Sequence, residues 1–276
     1  SASVASPAPP VWAPPVVLDG GIRRVPRPEI AMDNAGAALV AWSPGGSVRA
    51  SYRPHGGAWG LPVRLSRSGV STGDPSLAMG HDGRSAVVVW RERRGTRVDR
   101  RVLRLPDGSV AGVIQRRVGG RYVLVARRWR EATGWAPPTD VSPVGANQRD
   151  MARPRVVASG RDFLIAWTRG RGLEVRSLSS DGGLGPLETI QAGSGGEPHA
   201  PYLAASGPDR AVLTWAVRVS SPDPAGFTER THAVEVATRD GGGWTTARII
   251  AQGSYNNPRP AAAITDGGSA AVVWVD

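Results

Sequence analysis

A unit that begins with proline and ends with tryptophan recurs five times along the chain. The steps from proline to tryptophan are 14, 15, 13, 14 and 14 residues. Each copy has a short first segment, a turn rich in Asp, Asn and Gly, and an apolar run such as SAVVVW. Such turns permit the positive φ of a hairpin, and an unbroken apolar run is typical of a strand buried on both faces. Each unit therefore predicts two antiparallel strands; the copies span residues 28–42, 75–90, 154–167, 201–215 and 260–274.

A second pair of segments follows each of the first four units. An alternating segment, a Gly turn and a further strand-like segment make up each pair, and three pairs carry a tryptophan after the turn. Four strands per repeat predict an all-β fold, a β-propeller with five four-stranded blades in a single domain over residues 1–276. Six blades are the alternative, because 116–142 can be read as a degenerate extra blade. The pairs lie at 48–66, 123–142, 173–190 and 232–250.

The two ends of the chain supply complementary halves of a blade. The C-terminal unit has two strands, and residues 2–18 resemble a third and fourth strand. We therefore expect a ring closed by N-terminal strands that pair with C-terminal strands, which removes free sheet edges. Nine of the ten tryptophans occupy equivalent positions in the repeats, which favours packing over ligand stacking, and only Trp129 lies outside the pattern.

Charge is concentrated in one segment. Every basic residue other than histidine is arginine, and residues 91–130 hold 13 Arg against three acids, a net charge of +10 within a total of +11. We interpret 91–121 as a basic hairpin inserted into the second blade, turning at Pro106, Asp107 and Gly108. Clustered arginines attract polyanions. The expected polyanion-binding residues are Arg93, Arg94, Arg97, Arg100, Arg101, Arg104, Arg116 and Arg117.

The polyanion expected here is an acidic polysaccharide. Nucleic acid is disfavoured because no stacking aromatics interleave these arginines. A solvated insertion that reflects arginine-biased codon usage is the alternative interpretation. The Pro-rich, polar opening SASVASPAPP resembles the start of a processed bacterial protein and predicts an extracellular or cell-surface location. The chain has no cysteine and no apolar run long enough for a transmembrane segment.

The repeats resemble those of exported bacterial β-propeller proteins, loosely those of sialidase-type propellers with Asp-box turns. SSDGG, with Ser179, Asp181 and Gly183, and TRDGGGW, with Asp240 and Trp244, lie where an Asp-box is expected. The first lacks the tryptophan and the second is one residue short. The resemblance implies a ligand site over the central channel. A sialidase-like site would use an arginine triad and a tyrosine nucleophile, Tyr202 or Tyr255.

The loops that lead into the first strands would form the mouth of that channel. They carry Arg27, Arg153 and Arg259 next to the strand prolines, together with Asp74 and His199, and we expect these five residues to bind ligand. Arginine grips carboxylates in bidentate fashion. If the protein is a glycoside hydrolase instead, of sialidase-like or arabinanase-like type, the catalytic candidates are Asp74, Asp150 and Glu197.

We therefore expect a monomeric, non-catalytic binding module outside the cell or at its surface. Its partner would be an acidic glycan, another polyanion or a protein. No cofactor and no metal are expected, because the four histidines lack metal-ligand spacing and the chain has no nucleotide-binding loop.

Overall fold

A computed structural model describes residues 13–20, 27–104, 110–143, 154–222, 228–254 and 257–275. Within these ranges, the side chains of 97–104, 110–118, 220–222 and 228–230 are left undescribed. The described residues form antiparallel strands with one short 3₁₀ turn at Pro44–Gly46, which confirms the predicted all-β class.

The strands form five sheets that follow one another along the chain. Sheet one contains β1 (Glu29–Met32), β2 (Ala38–Trp42), β3 (Arg49–Arg53) and β4 (Val63–Arg64). Sheet two contains β5 (Ser71–Thr72), β6 (Ser76–Met79), β7 (Ser85–Arg104), β8 (Val110–Arg130), β9 (Gly134–Trp135) and β10 (Thr139–Asp140). Sheet three contains β11 (Arg155–Ser159), β12 (Asp162–Arg169), β13 (Gly172–Leu178) and β14 (Leu184–Gln191). Sheet four contains β15 (Glu197–Ser206), β16 (Arg210–Pro222), β17 (Thr228–Asp240) and β18 (Arg248–Gly253), and sheet five contains β19 (Ala261–Ile264) and β20 (Ala270–Val273).

Each proline-to-tryptophan unit forms an antiparallel pair of strands, as predicted, and in every sheet but the second this pair comes first; in sheet two, β5 precedes it. Sheets one, three and four then add two strands in meander order, so their order follows the sequence. In the first four units, the second strand (β2, the start of β7, β12 and β16) is the most buried because it lies between two neighbours and is covered on both faces, whereas β20 of sheet five is mostly exposed. The tryptophans at the ends of three of these apolar runs have no exposed surface; they are Trp90, Trp167 and Trp215.

Apolar side chains fill the spaces between successive sheets. Three buried clusters join sheets one and two, two and three, and three and four. First strands of neighbouring sheets also meet directly, since the amide of Val156 on β11 donates to Ser76 Oγ on β6 at 3.1 Å. Face-to-face sheets whose first strands are neighbours in chain order are the arrangement of propeller blades.

Buried carboxylates support two of the tryptophans. Trp90 Nε1 donates to Glu92 at 3.1 Å, and Trp215 Nε1 donates to Glu235 at 3.0 Å. Glu235 also accepts the backbone N–H groups of Gly193 and Ser194, at 2.9 and 2.7 Å. Both carboxylates are fully buried, so these hydrogen bonds compensate the loss of hydration. The sequence predicted the tryptophan positions but not these partners.

The long hairpin of sheet two bears on the alternative with six blades. β7 and β8 pair from Ser85 opposite Arg130 to Arg104 opposite Val110. Residues 116–130 therefore continue a strand of sheet two and form no separate sheet. The predicted turn at 106–108 lies outside the described residues.

Ring closure and the number of blades stay predictions. β20 pairs with β19, and residues 13–18 form no strand. Residues 1–12, which include the predicted third strand of the closing blade, lie outside the described part of the chain.

Candidate functional site

A cavity of about 250 Å³ lies where the chain leads into the first strands of several sheets. Arg27 precedes β1, Arg155 opens β11 and Arg259 precedes β19, so all three stand at the same end of the assembly. The remaining lining residues are His199, Ala200, Pro201, Asn257 and Pro260. We call this space the mouth cavity. Its charged lining, among the residues that the structure describes, is entirely cationic.

Unusual backbone geometry shapes one wall of the mouth cavity. Ala200 has φ of 48° and Asn257 has φ of 61°, and no other described residue except glycine has a positive φ. The pairing of β15 with β16 is irregular between His199 and Tyr202, where Ala200 lies. Non-glycine residues in this conformation cost about 1 kcal/mol or more and concentrate at functional sites. That both line one cavity favours a binding role for it.

Arg155 is the most constrained of the three arginines. Its Nε donates to the carbonyl oxygen of Pro201 at 3.1 Å, and its guanidinium carbon lies 5.4 Å from the ring centroid of Tyr202. Nη1 lies 3.6 Å from a carboxylate oxygen of Glu29 on β1. These contacts, from sheets one and four, hold the Arg155 guanidinium in place. Arg27 and Arg259 are exposed, and among the described residues neither has a carboxylate within salt-bridge distance.

His199 contributes a titratable group to the same wall. Its ring meets that of His232 edge-to-face, with centroids 5.5 Å apart. Nε2 of His199 is buried and has no hydrogen-bond partner in the described part of the chain. Burial lowers the pKa of His199, and the nearby charges of His232 and Arg218 lower it further. Hydrogen bonds with Asn257 and the backbone of Glu197 oppose this decrease.

The structure places the predicted ligand-binding residues unequally. It brings Arg27, Arg259 and His199 together at the mouth cavity. Arg153 lies outside the described residues. Asp74 is half-buried just before β6 and is not among the described lining residues.

Two of the three catalytic candidates lie in the described part of the chain, and neither lines the mouth cavity. Glu197 is exposed at the start of β15, and Asp74 is half-buried before β6. Asp150 and Tyr255 lie outside the described residues. Tyr202 is described, and its ring faces Arg155.

Sequence reasoning missed Arg155 and Glu29, although a signal was present. Each directly follows a strand proline, and the equivalent residues in the other repeats are Ser76, Tyr202 and Ala261. Equivalent positions on the first strands point to one end of the channel. The residue after the proline was therefore as informative as the residue before it.

The basic segment divides into arginines with different partners. Arg94 is held by Asp140 and Glu92, at 2.7 and 2.9 Å, so two carboxylates already balance its charge. Its predicted role in polyanion binding does not fit these contacts. Arg93 lies on the other face of the hairpin beside Tyr122. The side chains of Arg97, Arg100, Arg101, Arg104, Arg116 and Arg117 lie outside the described part of the chain.

The turn that resembles an Asp-box is a local structural element. Asp181 accepts hydrogen bonds from Ser179 Oγ and from the backbone N–H of Gly183, which lower the pKa of its carboxyl group. The turn joins β13 to β14, the predicted place. Arg128 of sheet two donates to the carbonyl oxygen of Ser180 at 2.7 Å, so the turn links neighbouring sheets.

A second cavity, of about 640 Å³, lies at the opposite end of the first strands. It is lined by the β6–β7 and β11–β12 turns and contains both acids and bases. Arg84 lies 3.8 Å from Glu131 within it. Because Asp82 and Glu131 offset most of the charge of its three arginines, it is a weaker candidate for an anion site than the mouth cavity despite its greater volume.

The described residues contain neither a membrane-spanning helix nor a cluster of metal-ligating side chains. None of their helical segments has the length and hydrophobicity needed to cross a membrane. No group of three or more acidic or histidine side chains among them is arranged to hold a metal ion.

No protein-family model matches the chain, and no curated protein matches its sequence. Solved structures do resemble its fold. The NanB sialidase from Streptococcus pneumoniae aligns with a TM-score of 0.52 and 11% identity, over 90% of this chain and 56% of that one. The α-L-arabinanase from Penicillium chrysogenum, solved with arabinobiose, aligns with a TM-score of 0.52 and 11% identity, over 91% of this chain and 75% of that one. This chain thus spans little more than half of the sialidase, and the likeness shows a propeller-like fold alone.

Proposed function

We propose that the protein is a binding module for acidic glycans and that the mouth cavity receives a carboxylated sugar unit. The convergence of Arg27, Arg155 and Arg259 on one small cavity carries the proposal. Guanidinium groups bind carboxylates through paired, charge-assisted hydrogen bonds. The volume of about 250 Å³ suits one sugar unit rather than an extended chain.

The three arginines would have different tasks. Arg155 is fixed by Pro201, Tyr202 and Glu29, so it would orient the ligand with little loss of side-chain entropy. Arg27 and Arg259 are exposed and would supply the neutralising charge. Asn257 and His199 would contribute uncharged polar contacts, because burial favours the neutral form of His199.

A glycan array tests this proposal. The purified chain should bind glycans that end in uronic or sialic acids and should not bind their neutral counterparts. Binding at the cavity should persist in part at high salt, because the charge of the half-buried Arg155 is screened less than the exposed charges of Arg27 and Arg259. Equal binding of neutral and acidic glycans would overturn the proposal. We expect the protein to act outside the cell or at its surface, where such glycans occur.

A glycoside hydrolase is the second candidate, favoured by one specific contact. Tyr202 and Glu29 both contact Arg155, which places a phenol and a carboxylate on the same arginine. The fold neighbours are a sialidase and an arabinanase, which makes hydrolysis worth assaying. Release of aryl alcohol from aryl sialosides or arabinosides, abolished by Tyr202→Phe, would support hydrolysis. No release above the rate of a Tyr202→Phe control would leave binding as the function.

A further inference from the structure

Tyr122 on β8 lies beside Arg91 and Arg93 on β7. The three residues are near the end of sheet two from which the β7–β8 hairpin extends. Tyr122 pairs with Arg93 across the two strands, and the guanidinium carbon of Arg93 lies 5.9 Å from the ring centroid. The guanidinium carbon of Arg91 lies 4.3 Å from the same centroid. Residues two apart on a strand project from the same face, so the three side chains form one patch. We call Arg91, Arg93 and Tyr122 the Arg–Tyr ledge.

Arg93 on the ledge differs from Arg94 on the other face of the same hairpin in its charge partners. On that face, Arg94 is neutralised by Asp140 and Glu92. Arg93 has no carboxylate within salt-bridge distance among the described residues, and its buried Nε has no hydrogen-bond acceptor there. A guanidinium has five N–H donors, so Arg93 retains donors for an anion.

The surrounding backbone keeps the ledge open. Gly73, which donates its N–H to the carbonyl oxygen of Arg91 at 2.8 Å, places no side chain beside that arginine. Gly120 has φ of +88°, and a Cβ there would come within 2.8 Å of the carbonyl oxygen of Arg94. Glycine at 120 therefore allows the hairpin to bend next to Tyr122. All three ledge residues are half-buried, so their stems are fixed while part of each remains accessible.

We propose that the Arg–Tyr ledge is an anion-binding site that holds sulfate or carboxylate groups of an anionic polysaccharide, separately from the mouth cavity. Stacking on Tyr122 fixes the guanidinium plane of Arg91 in advance and so reduces the entropy lost on binding. The ring face covered by Arg91 is closed to a nucleobase, which disfavours binding by base stacking. The net charge of +10 over residues 91–130 would attract such a chain from a distance.

Dextran sulfate, a polyanion without aromatic groups, is the probe for this site. Its affinity should be measured by fluorescence anisotropy over a series of salt concentrations for wild type, Arg93→Gln, Tyr122→Leu and Tyr122→Phe. Arg121→Gln is the matched control, because Arg121 is adjacent in sequence, carries the same charge and projects from the opposite face. Thermal unfolding of each variant verifies that it is folded.

We expect Arg93→Gln to weaken binding about tenfold, the effect of losing one charge-assisted contact, and to lower the salt slope by about one. Tyr122→Leu should also weaken binding, whereas Tyr122→Phe and Arg121→Gln should not. Equal losses in Arg121→Gln and Arg93→Gln would show diffuse attraction by the whole hairpin and overturn the site. Tighter binding of single-stranded oligothymidylate than of dextran sulfate would overturn the choice of polysaccharide. Neither result depends on the mouth cavity, since no ledge residue lines it.

Discussion

Nη1 of Arg94 donates a hydrogen bond to Oδ2 of Asp140 and Nη2 donates one to Oδ1, each at 2.7 Å. Arg94 is on β7 and Asp140 on β10, with β8 between them, so the pair ties the outer strand of sheet two to its middle. Nε of Arg94 binds the buried carboxylate of Glu92 at 2.9 Å. One arginine thus supports two carboxylates, one of which has no access to water.

Replacing Arg94 should destabilise the protein strongly. Arg94→Met leaves Glu92 buried without its cationic partner, and we expect the free energy of unfolding to fall by about 3 kcal/mol. Arg84→Met is the control, because Arg84 is 79% exposed and its ion pair with Glu131 should contribute less than about 0.5 kcal/mol. Urea denaturation followed by tryptophan fluorescence measures both. Similar losses for the two variants would contradict this account.

The Arg94–Asp140 pair also predicts acid sensitivity. The hydrogen bond from Arg94 lowers the pKa of Asp140 below its ordinary value of 3.8. The pair therefore stabilises the fold fully above that value, and this stability is lost as the pH falls towards the lower pKa of the folded state. Asp140→Asn should flatten the decline in unfolding free energy below about pH 4. An unchanged decline in Asp140→Asn would assign the acid sensitivity to other carboxyl groups.

Glu235 should be essential for joining sheets three and four. Its carboxylate accepts from Trp215 Nε1 and from two backbone N–H groups that follow β14. Glu235→Ala leaves the buried Trp215 Nε1 and two partly buried backbone N–H groups without their acceptor, and we expect a loss of about 3 kcal/mol in unfolding free energy. Glu131→Gln, at a side chain 56% exposed, should change it by less than about 0.5 kcal/mol. Chemical denaturation of both variants provides the measurement, and a loss under about 1 kcal/mol for Glu235→Ala would contradict the assigned role.

His199 predicts a second pH dependence, nearer to neutrality. Its pKa in the folded state is lower than the ordinary value of 6.5, chiefly because of burial. The unfolded state therefore binds the proton first, and unfolding free energy should decrease as the pH falls below about 6.5. His199→Gln should remove this decrease, whereas His81→Gln, at an exposed histidine, should retain it. If the unfolding free energy of both variants decreased equally as the pH falls, His199 would not be the origin of that decrease.

The repeat pattern predicted the framework because strand, turn and burial signals coincided in every unit. Proline, a Gly-containing turn, an apolar run and tryptophan agreed at each copy, and the hairpins of all five sheets follow them. Partners such as Glu235 were not predictable in the same way. A lone glutamate in an apolar strand indicates that its carboxylate needs a buried hydrogen-bond donor. Which donors it meets depends on the tertiary fold, and here they are Trp215 Nε1 and the loop after β14.

The candidate site was predicted in part, for a similar reason. The repeat period alone predicts that the loop residues Arg27, Arg259 and His199 lie at one end of the sheets, and all three line the mouth cavity. Arg155 was overlooked because it begins a strand, and its importance comes from contacts with residues of two other strands, β1 and β15. For Arg94, composition suggested a free cation, whereas Asp140, 46 residues away in sequence, balances its charge.

The affinity of the mouth cavity for galacturonic acid tests the central claim most directly. Isothermal titration calorimetry should be carried out with wild type, the double variant Arg27→Gln/Arg259→Gln and the control Arg248→Gln, which removes an exposed arginine from β18. We predict binding by wild type and Arg248→Gln, at least a tenfold loss in the double variant, since charge-assisted hydrogen bonds contribute about 1.5–3 kcal/mol, and no binding of galactose. Equal affinity in the double variant, or equal binding of galactose, would contradict the proposal that these arginines recognise a carboxylated sugar.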